Sequence, residues 1–121
     1  MSAKSIVTRR HGPPQPGAEP ATFAVERNDL GINAEITLIG DIDLESAPLV
    51  RQALTRCLLD GARTIDVDLT SVDFCDCTGL SAFLHAHHCA AAVGATVRLH
   101  HPTRAVARLF ALTRTESVLL P

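Results

Sequence analysis

The chain has 121 residues, 46% of them hydrophobic, which is enough for one domain with its own core and excludes a chain disordered throughout. Eleven basic residues stand against 13 acidic ones, with no Trp or Tyr and only four Phe, so there is neither the cationic field nor the stacking rings of a nucleic-acid surface. No apolar run approaches the roughly 18 residues of a membrane span, and MSAKSIVTRRHGPPQPG lacks the apolar stretch of a signal peptide, so the expected compartment is the cytoplasm.

Four of the seven prolines (Pro13, Pro14, Pro16 and Pro20) fall in the first 20 residues, too many for a helix or strand. The expectation is a flexible tail over residues 1–21 and one domain over 22–121. TFAVERN alternates as a strand, NDLG offers a turn, and NAEITLIGDID carries the β-branched Ile36, Thr37 and Ile39, which together predict a hairpin. In ESAPLVRQALTRCLLDG, Ala47, Val50, Ala53, Leu54, Cys57 and Leu58 recur near helical spacing, with Ser46 as an N-cap and Gly61 as a stop. TIDVDL (64–69) alternates as a half-buried strand, and VDFCDCTGL (72–80) follows as a loop.

A second helix runs through TGLSAFLHAHHCAAAVG, with Leu80, Phe83, Leu84, His87, Ala90 and Ala91 on the inner arc and Ser81, His85, His88 and Ala92 outside. TVRLHH (96–101) predicts a strand, PTRAVARLFALT a third helix striped by Val106, Leu109 and Phe110, and SVLL a short last strand. This alternation of strand and helix argues for an α/β sandwich with some parallel pairing.

Within that frame, GDIDLESA (40–47), DLTSVDFCDCTGLSAFL (68–84), GATVRL (94–99) and TRAVARLFALTRTESVLL (103–120) resemble, in order and spacing, the STAS family, and within it the stand-alone bacterial anti-sigma factor antagonists. The resemblance implies a mixed four- to five-stranded sheet with helices packed on one face. It implies a non-enzymatic binding protein that needs no cofactor and whose partner is an anti-sigma factor that is also a serine kinase. In such proteins the residue directly after the loop aspartate is phosphorylated, and the phosphorylated form releases its partner.

Here that aspartate is Asp76, and the acceptor position is Cys77, a thiol; only the second hydroxyl position survives, as Thr78. Three outcomes stay open: phosphorylation at Thr78, a constitutive binder, or another role for the loop. A hydroxyl at a helix start places a phosphate near free N–H groups, and the added charge of about −1.5 to −2 would stand beside Asp76. The expected docking surface comprises Asp43, Asp76, Cys77, Thr78 and Gly79, flanked by Ser81, His85 and His88. Asp43 matches an acidic residue near the loop in relatives, and it also suits a cap of the first helix. Gly79 suits close backbone approach.

Other readings of the same residues remain. A STAS subunit of a lipid-trafficking ABC transporter uses a loop threonine, as Thr78 would serve. A thiol sensor would use Cys77 at a helix N-terminus, although Asp76 opposes thiolate formation. Cys75-x-Cys77 lacks zinc spacing; His85 and Cys89 at i, i+4 are close enough to share a ligand, yet spacing and a reducing compartment argue against a metal site. Cys57 and Cys89 fit as small hydrophobes. Relatives continue past the last strand into a helix, and its absence after Pro121 would expose an apolar face and favour a homodimer.

Overall fold

The computed structural model describes residues 3–9 and 23–121. Five strands, β1 (Ala3–Arg9), β2 (Phe23–Leu30), β3 (Asn33–Gly40), β4 (Thr64–Ser71) and β5 (Thr96–His100), form one sheet in the order β1-β2-β3-β4-β5. The first three pair antiparallel; β3 with β4 and β4 with β5 pair parallel. Each parallel step needs a crossover, supplied by α1 (Ala47–Leu59) and α2 (Cys77–Ala92). Two right-handed crossovers moving the same way across the sheet place both helices on one face.

The pleat explains the sidedness. Ile36, Leu38, Ile65, Val67, Leu69, Val97 and Leu99 are buried, and they meet Val50 and Leu54 of α1 and Ala82, Phe83 and Ala86 of α2 in one core. Alternate residues on the same strands are polar (Glu35, Thr37, Asp66, Asp68, Arg98 and His100) and form the helix-free face, where His100 pairs with Asp66 at 2.7 Å. The mixed sheet with helices on one face is therefore as the sequence implied. The β2–β3 hairpin also forms, with its turn at Gly31 and Ile32. Leu30 pairs with Asn33, and Gly31 at φ +65° supplies the left-handed residue that such a tight turn requires.

Four expectations need correction. Ala3–Arg9 is a strand, paired Val7 to Val25, in a segment read as having neither helix nor strand; the prolines follow it, and the remainder of the expected tail lies outside the described residues. SVLL is not a strand. Arg114, left-handed at φ 58°, ends α3 (Arg104–Thr113), and the chain turns into α4 (Glu116–Leu119), whose buried Leu119 packs into the core. On α2 the buried residues are Gly79, Leu80, Ala82, Phe83, Ala86 and Ala90, whereas His87 is only half-buried and Ala91 is exposed. The small residues Ala82 and Ala86 let the helix approach its neighbours, so the inner arc is centred on them rather than on the bulkier Leu84 and His87. Finally, Ser46 stands at the N-cap position of α1, but its hydroxyl makes no capping bond into the helix.

Candidate functional site

The loops after β3 and β4 meet at the carboxyl ends of the parallel strands. Ile42 N–H donates to Phe74 O at 2.9 Å, and Asp76 N–H donates to Ile42 O at 3.1 Å, a short parallel bridge between the segments. Backbone hydrogen bonds of this kind satisfy groups that would otherwise be stranded at a buried junction. Thr103 ties the next connection to the same place, its hydroxyl donating to Val72 O at 2.9 Å.

Asp76 is the N-cap of α2. Its extended backbone (φ −98°, ψ −173°) turns the side chain forward, so one carboxylate oxygen accepts from Thr78 N at 2.9 Å, from Gly79 N at 3.1 Å and from the Thr78 hydroxyl. Partial burial would raise its pKa, but the hydrogen bonds from Thr78 and Gly79 outweigh that and hold it below the usual carboxylate range. The charge also complements the positive end of α2. Cys77, at the first position of the helix, is exposed.

Gly79 is where the two loops and α2 come closest. A Cβ there would stand 2.5 Å from Cγ2 of Ile42 and 2.7 Å from Sγ of Cys75, so only glycine lets the helix start rest on this bridge. Cys75 is buried beneath it, and burial pushes its thiol up to about 12, which leaves it a packing residue. Cys57 is likewise buried, its thiol pushed up to about 11 by desolvation.

Asp43 sits next to the bridge, but its carboxylate serves its own turn, accepting from Glu45 N at 3.0 Å and Ser46 N at 3.1 Å ahead of α1. The fully buried Ser46 completes that turn by donating to Asp41 O at 2.8 Å and accepting from Asp43 N at 2.9 Å. Asp43 thus braces the turn ahead of α1, whose N-cap position is Ser46, and among the described residues no hydrogen bond joins its carboxylate to the Asp76 loop. Thr78 and Ser81 line a shallow groove of about 190 Å³ with Leu44, Ala47, Pro48 and Arg51 of the α1 side. His85 and His88 lie exposed farther along α2.

Two residues next to these were absent from the sequence reading. Leu44 is 73% and Phe74 50% exposed, one in each of the two bridged loops. Their signal was available: each is a large apolar residue directly after an aspartate, Asp43 or Asp73, in a segment between a strand and a helix. Among the described residues no group of three or more His, Cys, Asp or Glu side chains has metal-binding geometry, and no helix is long and apolar enough to cross a membrane.

The comparisons agree with this architecture. A curated relative, the anti-sigma-B factor antagonist of Bacillus subtilis (strain 168), is 28% identical over 92 residues, covering 76% of this chain and 80% of that protein. Among solved structures, unphosphorylated SpoIIAA, an anti-sigma factor antagonist, superposes with a TM-score of 0.71 at 19% identity over 79% of this chain and 85% of its own. An anti-sigma factor antagonist from Mycobacterium paratuberculosis gives 0.70 at 21% identity over 84% and 86%. At those identities the structures speak for the fold alone. The family described as "Mlab, STAS domain" matches residues 27–121, and the chain belongs to the STAS domain family.

Proposed function

We propose that the protein is an anti-sigma factor antagonist that binds a serine-kinase-type anti-sigma factor in the cytoplasm and so releases the sigma factor, acting as a binding protein rather than an enzyme. Asp43, Asp76, Cys77, Thr78 and Gly79 form the centre of the contact, with Ser81, His85 and His88 at its flank. The observation that carries this reading is the bridged pair of loops, which displays Leu44 and Phe74 around a rigidly capped helix start. Exposed apolar residues on a fixed backbone suit docking, because little conformational freedom is lost on binding.

Phosphoregulation is altered or lost in this reading. The acceptor position holds Cys77, and the remaining hydroxyl, on Thr78, is engaged by the Asp76 carboxylate. A kinase would have to break that bond and seat a phosphate beside a carboxylate already below its usual pKa, a like-charge contact worth several kcal/mol at about 4 Å. Thr78→Glu should weaken partner binding at least tenfold by calorimetry, since about 1.4 kcal/mol lost from the interface suffices; unchanged affinity would remove the loop from the interface.

A second reading keeps the surface and changes the partner to the ATPase of a lipid-trafficking ABC transporter. It is favoured by the description of the matched family and by a loop whose surviving hydroxyl is a threonine. Recovery of a transporter ATPase with the tagged protein, in place of an anti-sigma factor, would select it.

A further inference from the structure

The geometry points to a thiol modification site on α2, in which Cys89 exchanges with low-molecular-weight disulfides and His85 acts as its base. The Cys89 sulfur lies 3.5 Å from His85 Nε2, one helical turn away, and both groups are reachable from solvent. A nucleophile and a base within hydrogen-bond reach on a rigid helix is the arrangement that nucleophilic chemistry needs. With its own proton on Nδ1, His85 presents Nε2 as an acceptor for the thiol hydrogen.

The other cysteines do not share this setting. Cys57 and Cys75 are buried, and desolvation disfavours their thiolates. Cys77 is exposed, but among the described residues no imidazole is bonded to it.

The step conserves atoms and electrons. The Cys89 proton moves to Nε2 of His85, and the sulfur attacks one sulfur of the incoming disulfide. A new S–S bond forms to Cys89 as the old one breaks, and the departing thiolate takes the proton back from His85. One disulfide is consumed and one is made. A small, polar disulfide such as glutathione disulfide suits this open helix face. The exchange needs only the α2 pair of the free protein; His85 also flanks the proposed docking surface, so the reaction is followed without a partner, where failure of the docking reading leaves it unaffected.

The test uses the full-length folded protein and glutathione disulfide, with adducts located and timed by peptide mass mapping. Cys89 should form the mixed disulfide, and His85→Ala should slow it about tenfold. Cys77, modified in the same sample, should keep its rate in that variant, which shows that the fold is retained and that solvent exposure alone is not what was lost. Cys89→Ser should abolish the α2 adduct. Equal Cys89 rates in the wild type and His85→Ala, or no adduct at Cys89 while Cys77 reacts, would overturn the assignment.

Discussion

Gly79 and Ile42 approach so closely that a Cβ on the glycine would stand 2.5 Å from the isoleucine Cγ2. The contact locks the start of α2 onto the loop that follows β3. Gly79→Ala should therefore destabilise the domain even though alanine is the better helix former by about 1 kcal/mol. Overpacking of this kind costs about 1–3 kcal/mol. A net loss of up to about 2 kcal/mol in urea unfolding is the expected outcome, and a stabilised variant would show that the loop yields.

Asp76 links the same helix start to pH. Its pKa is lower folded than unfolded, so its contribution is present above the unfolded value near 4 and is lost as pH falls through the folded one. Asp76→Ala should cost about 1 kcal/mol near neutrality through the lost cap, and this deficit should shrink below about pH 4. Parallel acid titrations of the wild type and the variant, followed by circular dichroism, check both points.

Cys75 gives the opposite limb. Its thiol, normally near 9, is raised to about 12 by burial, so the folded state holds a proton that the unfolded state releases. Stability should fall as pH rises from about 9 to about 12. The chain contains no Tyr to mask the effect. Cys57, raised to about 11, adds in the same direction. Cys75→Ala should flatten the alkaline slope in denaturant titrations; an unaltered slope would mean that Cys75 ionises freely.

Much of this was legible in the chain, and the gaps have physical causes. The hairpin and both crossover helices followed from period and turn chemistry, whereas the Asp76 loop was marked by its resemblance to the STAS motif and its cap of α2 was not foreseen. The strand at Ala3–Arg9 was hidden because nearby prolines dominate the composition of the tail, although none lies within it. SVLL has a strand's composition, and it is the left-handed Arg114 together with the burial of Leu119 that make it a helical turn. On α2 the helical period was phased toward Leu84, His87 and Ala91, whereas the buried stripe includes Gly79, Ala82 and Ala86. At the site, the family motif marked Asp76 and a close backbone approach was expected at Gly79, whereas Leu44 and Phe74 show in the sequence only as apolar residues after an aspartate and take their meaning from the bridge between the two loops.

Cys77→Ser restores a hydroxyl at the exposed first position of α2, free of the bond that holds Thr78. With the kinase-type partner and ATP, this variant should incorporate phosphate on Ser at that position while the wild type incorporates none. Equal labelling of both proteins, mapped to Thr78, would move the switch to the threonine.

The central claim is that this surface binds an anti-sigma factor. The most direct test is affinity capture from the protein's own cells with wild-type and Thr78→Glu baits side by side, and identification of the bound proteins by mass spectrometry. The account predicts a kinase-type anti-sigma factor enriched on the wild type and depleted on the variant. Recovery of a transporter ATPase instead, or of an anti-sigma factor held equally by both baits, would contradict it.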